Sequence, residues 1–267
     1  MKLTDKVIVV TGGAHGIGAA MLRRFAKEQP RALVVADRDL PGAEALAREL
    51  GASSAGNAGT KASAVACDVS READIVALVE RATKEHGAID LFVSNAGIAI
   101  GGGVDAPDDE WRRIFDINLM AHVWAARALL PAMAARGSGY LVATASAAGL
   151  LSMVGSAPYS VTKHAAVALA EWIAITYGDR GIKVSCLCPL YVNTDMLKGA
   201  LNDAAGASIK ASGEVIEPTA VADAVVAGIE AEKFLILPHP EVLTYFQRKA
   251  GDYDRWLAGM RKLHAVK

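Results

Sequence analysis

Thr11-Gly12-Gly13-Ala14-His15-Gly16-Ile17-Gly18 follows the apolar run Val7 to Val10 and precedes a helix-like stretch, Ala19–Lys27. Gly12 lets the chain turn tightly, Gly16 lets the backbone approach a pyrophosphate, and Gly18 lets the helix pack close to the sheet. The segment Ala14, His15, Gly16 and Ile17 opens the helix, where unpaired N–H groups and a partial positive charge suit phosphates. A strand before and a helix after separate a dinucleotide-binding turn from an ordinary glycine-rich bend.

The alternation continues along the chain. Strands are predicted at Lys6–Thr11, Ala32–Ala36, Ala62–Cys67, Leu91–Ser94, Gly139–Thr144, Lys183–Cys188 and Phe234–Leu237. Helices are predicted at Ala19–Lys27, Ala43–Leu50, Ala73–His86, Asp109–Arg136, Ser160–Tyr177 and Thr219–Ala231. Short, continuous apolar strands fit a parallel sheet buried on both faces. With helices between them they imply an α/β chain: a Rossmann-type doubly wound sheet of about seven mainly parallel strands, helices on both faces. No repeat or long linker divides residues 1–267, so a single domain is expected.

Three regions depart from the rhythm. Gly51–Lys61 is small and polar and is expected to be an exposed loop. Thr194–Val215 is Ala/Gly-rich and weakly periodic, and is expected to form a substrate flap. His239–Lys267 carries Val242, Leu243, Tyr245, Phe246, Trp256, Leu257, Met260 and Leu263 at spacings that predict one or two amphipathic helices.

Composition narrows the function classes. The 267 residues are 52% apolar and 21% charged, which excludes a disordered chain. Twenty-eight basic against 29 acidic residues leave a net charge of −1, no footprint for nucleic acid. Three cysteines cannot staple a chain of this length. No apolar run approaches the ~18–20 residues of a membrane span. No secretory signal is visible, so neither membrane nor export is expected and the cytoplasm is the default location.

The second predicted strand leads into Asp37-Arg38, and Asp37 lies 19 residues after Gly18 (37 − 18). A carboxylate there accepts hydrogen bonds from ribose hydroxyls and repels the 2′-phosphate of NADP. Arg38, and more weakly His15, argue the other way, because a guanidinium binds such a phosphate. NAD is favoured, with NADP possible.

Tyr159 and Lys163 are four residues apart in a helical run and share a helix face. Ser146 lies 13 residues earlier (159 − 146), just past a predicted strand. With the glycine turn, Asp68-Val69, Asn95-Ala96-Gly97, Asn118 and the run from Pro189 to Thr194, these residues resemble the short-chain dehydrogenase/reductase family from about Lys6 to Leu237. The resemblance implies an oxidoreductase with a catalytic tetrad of Asn118, Ser146, Tyr159 and Lys163. It implies that Asp68 and Val69 hold the adenine and that Asn95, Ala96 and Gly97 support the cofactor. It places Pro189, Val192 and Thr194 at the nicotinamide carboxamide. Two positions depart from the pattern: Leu190 stands where glycine is usual, and Ser94 where asparagine is usual.

The chemistry agrees with the resemblance. Hydride transfer from an alcohol needs a proton acceptor, and a free tyrosine, with a pKa near ~10, is too weak a base at neutral pH. An ammonium about 4 Å away is worth about 4 kcal/mol at an effective dielectric of about 20. Desolvation removes part of that gain. Lys163 and a positive nicotinamide are together expected to bring Tyr159 toward working pH, as general acid–base chemistry requires. Lys163 would also hold the nicotinamide ribose, Ser146 the substrate oxygen, and Asn118 a water-borne proton relay.

The partner is therefore expected to be a secondary alcohol or ketone. Ile98, Ile100, Leu150, Leu151, Met153, Leu190, Tyr191 and Met196 follow the ends of predicted strands and predict an apolar pocket, with Leu190 and Met196 beside Ser146 and Tyr159. An NADPH-dependent carbonyl reductase and a non-catalytic dinucleotide-binding scaffold are the alternatives. Apolar faces on Asp109–Arg136 and Ser160–Tyr177 suggest a homodimer or homotetramer. Trp111, Trp124 and Trp172 fit core or subunit interface, and His122 and His164 fit packing or surface. Cys67, Cys186 and Cys188 read as small buried apolar residues, and Cys-x-Cys without further ligands is not a metal site.

Overall fold

In chain order the strands are β1 (Val7–Thr11), β2 (Ala32–Asp37), β3 (Lys61–Ala66), β4 (Leu91–Ser94), β5 (Gly139–Thr144), β6 (Ile182–Leu187), β7 (Tyr191–Val192), β8 (Val215–Ile216) and β9 (Leu235–Ile236). The helices are α1 (Gly16–Ala26), α2 (Leu40–Ser53), α3 (Glu72–His86), α4 (Asp108–Phe115), α5 (Ala121–Ala135), α6 (Ala157–Tyr177), α7 (Asp195–Leu201), α8 (Pro218–Glu230), α9 (Glu241–Gly251) and α10 (Tyr253–Ala265). The structure, a computed structural model, describes residues 1–53, 59–201 and 214–265.

Seven strands form one parallel sheet in the order β3-β2-β1-β4-β5-β6-β9. Alternate residues of β1 explain why it is apolar throughout. Val7 and Val9 enter a core shared with α3, α5 and α6, while Ile8 and Val10 enter the core under α1, α2 and α8. Strand order reverses between β1 and β4, and such a reversal opens a crevice at the C-terminal ends of the strands. The glycine turn, Asp68-Val69, Asn95 to Gly97, Ser146 and the run from Pro189 follow those ends, while Asn118, Tyr159 and Lys163 come from helical segments. β3 is the edge strand and is only partly covered, so its two-faced burial does not follow the pattern of the central strands.

The boundaries shift where tertiary packing overrides local preference. α1 begins at Gly16 and not Ala19, because the turn's own glycines are recruited into its first residues. α2 runs on through Gly51 to Ser53, part of the predicted loop, and residues 54–58 of that loop lie outside those described. The predicted helix Asp109–Arg136 is divided by a π-helical turn, Asp116–Met120. The predicted flap begins as α7, and Val215, at its end, pairs with Tyr191; residues 202–213 lie outside those described. The C-terminal stretch forms two helices, as its periodicity predicts. Among the described residues, no helix is long and apolar enough to cross a membrane.

Candidate active site

The cofactor end is built mainly from backbone. Gly12 has φ +61°, and a Cβ there would lie 2.9 Å from the Ala96 Cα. Gly18 packs against the Gly12 carbonyl so closely that a Cβ has no room. The N-cap residue of α1, His15, makes no side-chain capping bond, and the first turn carries no acidic residue. The first N–H groups of α1 thus keep the open, positive character that a phosphate needs. A cleft of about 320 Å³ spreads from this turn, lined by Gly12, His15, Gly16, Ile17, Asp37, Arg38, Asp68, Val69, Asn95, Ala96 and Gly97. Ile98, Tyr159, Lys163, Pro189, Thr194 and Met196 are among the other residues of its wall. Ala14 and Gly18 lie behind that surface. The Ala14 N–H donates to Asp37 Oδ2 at 3.0 Å, and Gly18 is buried.

Asp37 is fixed by its neighbours: Oδ1 also accepts the Asp39 N–H at 3.0 Å. The His15 ring lies 2.7 Å from Asp39 Oδ2, so the histidine expected to favour a phosphate is tied to a second carboxylate. The Gly42 N–H and then His15 hold the Asp39 carboxyl below its ordinary range. Arg38 is exposed, and after the Ser70 hydrogen bonds its charge helps hold Asp68 low.

Asn95 ties three strand ends together. Its Nδ2 donates to the Thr11 and Gly12 carbonyls at 3.0 and 3.2 Å. Its Oδ1 accepts from the Thr144 hydroxyl at 3.3 Å, and its N–H donates to Thr11 Oγ1 at 2.9 Å. Two residues on, Gly97 brings the backbone against the reactive groups. A Cβ there would sit 3.3 Å from Asn118 Oδ1 and 3.4 Å from Lys163 Nζ.

Asn118 sits in the π-helical turn and is fully buried. Its amide closes a pair of 2.9 Å hydrogen bonds with Ile98, accepting the N–H and donating to the carbonyl. It also donates to Thr162 Oγ1 at 3.3 Å. A π-turn inside a helical run often marks a functional position.

Tyr159 and Lys163 lie one turn apart near the start of α6. The Lys163 ammonium donates to the Thr144 carbonyl at 2.9 Å and lies 5.6 Å from the centre of the Tyr159 ring. Burial pushes Lys163 down to about 8, with Cys186 and Cys188 opposing. Burial raises the Tyr159 phenol above its ordinary value of 10, and a hydrogen bond with Ser146 pulls part of that back. Sequence reasoning expected Lys163 and the nicotinamide to lower the phenol. Among the protein's own groups Ser146 does lower it, but desolvation outweighs that hydrogen bond.

Ser146 ends the loop after β5, where its hydroxyl accepts the Ala148 N–H at 3.1 Å and donates to the Pro189 carbonyl at 3.5 Å. It faces a second cavity of about 140 Å³, lined by Leu151, Met153, Leu190, Tyr191, Val192 and Met196 among others. Tyr159 lines both cavities, as do Ile17, Pro189, Thr194 and Met196. Three expected pocket residues fall elsewhere: Ile98 lines only the cofactor cleft. Leu150 is buried in the core, and Ile100 lines neither cavity; its carbonyl accepts from the Ser156 hydroxyl. Val192 faces the smaller cavity and not the cofactor cleft.

Several supporting residues escaped sequence reasoning. Thr144 and Ile98 act through backbone atoms, which no side-chain pattern advertises. Thr162 lies inside Tyr-Ser-Val-Thr-Lys, and nothing in that run singles out the hydroxyl that accepts from Asn118. His164, expected to be packing or surface, instead makes hydrogen bonds on both ring nitrogens. His122 is buried, and burial and then the Lys163 charge push it down to about 3, so it is neutral. Burial pushes the Cys67 thiol up to about 12, which makes it inert. No metal-binding group of residues occurs among the described residues.

Comparison with known proteins places this architecture. Residues 6–205 match the family described as short chain dehydrogenase. Epidermal retinol dehydrogenase 2 of Homo sapiens is 31% identical over 92% of this chain and 77% of its own. A short-chain dehydrogenase/reductase from Burkholderia phymatum, solved with NAD, has TM-score 0.84 and 28% identity over 95% of this chain and 96% of its own. A short-chain dehydrogenase from Sphingobium yanoikuyae, solved with NADPH, has TM-score 0.79 and 26% identity over 95% of each chain. The protein belongs to the short-chain dehydrogenases. It is an NAD(P)-dependent oxidoreductase that uses a nicotinamide cofactor.

Proposed function

We propose that this protein oxidises a hydrophobic secondary alcohol, or reduces the matching ketone, with NAD as the favoured cofactor and Tyr159 as the general acid/base. The observation that carries the reading is the position of Tyr159, shared between the cofactor cleft and the smaller, mostly apolar cavity that holds Ser146. The nicotinamide, when bound, exchanges the hydride and in its oxidised form adds a positive charge to the site.

The chain's own residues do the rest. Ser146 hydrogen-bonds the substrate oxygen and steadies charge that develops there. Tyr159 Oη takes the hydroxyl proton during oxidation and returns it during reduction. Lys163, anchored on the Thr144 carbonyl, holds the nicotinamide ribose and keeps a positive charge behind the phenol. Asn118, locked to Ile98, positions the relay that carries the proton onward. The glycine turn holds the pyrophosphate, Asp37 the adenosine ribose, Asp68 and Val69 the adenine, and Asn95, Ala96 and Gly97 the floor beneath. Pro189 and Thr194 frame the carboxamide side, while Val192 belongs to the substrate cavity.

Asp37 and Asp39 side by side favour NAD over NADP, since both repel a 2′-phosphate. One domain carries this site, with the segment 194–215 as the substrate flap and the helices from 239 as a capping extension. On α6, Trp172 is 56% and Ile175 82% exposed, which favours burial against a second copy and hence a homo-oligomer. The unpaired thiols suit a reducing compartment, the cytoplasm.

The test is turnover with NAD across a panel of secondary alcohols and ketones, wild type against Tyr159→Phe. The variant is expected to lose about 10²- to 10⁴-fold in kcat, the range for general acid–base catalysis. NAD affinity is expected to stay within about twofold, since the ring still packs. Near wild-type turnover would end the assignment.

A further inference from the structure

Two buried basic side chains from the C-terminal segment reach back to the smaller cavity, and the chemistry above uses neither. His239 follows β9 and is 2% exposed. Its Nδ1 accepts the Leu190 N–H at 3.1 Å, and its Nε2–H donates to the Tyr191 carbonyl at 3.1 Å. Leu190 and Tyr191 form one wall of the cavity.

Lys249, on α9, is 7% exposed. Its ammonium donates to the Leu150 and Leu151 carbonyls at 2.7 and 3.1 Å. It lies 3.4 Å from His164 Nε2 and 5.5 Å from the Tyr253 ring centre. His164 Nδ1–H donates to the Ser160 carbonyl at 2.8 Å, which leaves the Nε2 lone pair facing the ammonium. Among the described residues, no carboxylate forms an ion pair with Lys249. Burying an ammonium against neutral acceptors is costly, so these acceptors hold it by geometry and not by opposite charge.

The carbonyls that the ammonium grips lead into another stretch of the cavity lining. Leu151, Ser152 and Met153 line the cavity. Ser152 has φ +131°, a backbone conformation that residues with a Cβ rarely adopt. On its far side the Met153 N–H donates to the Ser160 hydroxyl at 2.8 Å. A strained residue persists only when its surroundings over-determine it. Here Lys249 fixes the chain before Ser152, and Ser160 fixes it after.

We propose that Lys249 is a specificity-determining positioning residue. Through the carbonyls of Leu150 and Leu151 it holds the strained 150–153 wall of the substrate pocket, while His239 holds the wall at Leu190 and Tyr191. The inference rests on the proposed function, which makes this cavity the substrate's. Both anchors grip backbone atoms, so they set the distance between the walls whatever side chains the walls carry. A lysine that only glued α9 to the body would change stability and would leave the discrimination between substrates alone.

The test compares wild type, Lys249→Met and Lys249→Met/Ser152→Gly in the full chain. The probes are 1-phenylethanol as a bulky alcohol and 2-propanol as a small one. In Lys249→Met, the KM for 1-phenylethanol is expected to rise about tenfold relative to that for 2-propanol, the weight of one charge-assisted hydrogen bond. kcat for 2-propanol and NAD affinity are expected to stay near wild type. Hydrogen exchange at residues 150–154 is expected to rise about tenfold as the wall opens locally, while β1 is unaffected. Ser152→Gly, which accepts the unusual backbone conformation without strain, is expected to recover part of the lost KM.

Unchanged discrimination, or an equal fall for both alcohols, overturns the proposal. If Lys249→Met does not fold, Lys249→Arg decides, with about a threefold KM rise expected from its displaced donors and wild-type values overturning the proposal. If the wild type oxidises no alcohol and reduces no ketone, the function fails, and the exchange measurement still decides whether Lys249 holds the wall.

Discussion

At the C-terminal end of β1 the cleft is made by removing side chains. Gly12 and Gly18 let backbone meet backbone, Gly16 leaves room beside the Thr194 side chain, and the open start of α1 supplies the charge. At the ends of β5 and β6 it is made by importing side chains from far along the chain. Ser146 comes from a loop, Tyr159 and Lys163 from α6, Asn118 from a π-turn, His239 and Lys249 from the C-terminal segment. The first arrangement binds what every dinucleotide shares. The second places four polar groups in a largely desolvated site, and burial there pushes Lys163 down and Tyr159 up. Recognition of the common cofactor comes with little electrostatic strain. Chemistry and discrimination carry that strain and need anchoring from several elements.

Lys163 breaks the comparison most sharply, because it touches both function and strain. Lys163→Met is expected to lower kcat by about 10²-fold or more, as the charge behind the phenol is lost, and to weaken NAD through the ribose contact. Stability should move the other way. The folded pKa of about 8 lies below the ordinary lysine value of 10.5, so the folded state resists the ammonium. That cost is present in full below pH 8 and fades as pH rises toward 10.5, where the unfolded chain still holds its proton and the folded chain has lost it. The cost is on the order of 3 kcal/mol, less what the lost hydrogen bond to Thr144 gives back. Cofactor-free Lys163→Met should therefore match or exceed wild type in urea melts at pH 7. It should lose that advantage by pH 10. A variant much less stable than wild type at pH 7 would show that the Thr144 bond outweighs burial.

Asp37 tests the other half. Asp37→Ala removes a carboxylate that braces Ala14 and Asp39 and that the proposed function assigns to the ribose. The NAD over NADP preference in kcat/KM is expected to shrink about 30- to 100-fold, the loss of charge-assisted bonds to two hydroxyls together with a repulsion. kcat with saturating NAD should change little, since the reactive groups lie on other strands. A wild-type enzyme that prefers NADPH would show that Arg38 outweighs the two carboxylates.

The same contrast explains what could be seen in the amino-acid order. The turn from Thr11 to Gly18 is contiguous, and each glycine has a local steric reason, so fold and cofactor end were both legible there. β4 and β5 were placed residue for residue, because apolar runs between polar breaks mark buried parallel strands. The π-turn at Asn118 left no trace, since its geometry is imposed by packing against Ile98 and Thr162 and not by local propensity. Nothing in the sequence separates Lys249 from the other charges of its amphipathic helix. Its partners are carbonyls about a hundred residues away, and backbone acceptors have no sequence signature.

The smallest expected effect concerns Leu190, where the family resemblance leads one to expect glycine. Its side chain is partly buried on the wall of the smaller cavity, and its N–H is held by His239 Nδ1. Leu190→Ala removes most of the bulk and keeps the residue's backbone preferences, so the His239 bond should survive. The cavity of about 140 Å³ then gains room near the substrate oxygen without losing its anchor. A pocket contact of this kind discriminates by about 1–2 kcal/mol, or roughly tenfold. The ratio of kcat/KM for 1-phenylethanol over 2-propanol should rise by about that factor, with most of the gain in the KM for the bulkier alcohol. NAD affinity should hold, because the cofactor end does not include this side chain. A change in NAD affinity without a change in the alcohol ratio would move Leu190 from the substrate wall to the cofactor wall, and would place the division between the two halves of the site one residue further along the chain.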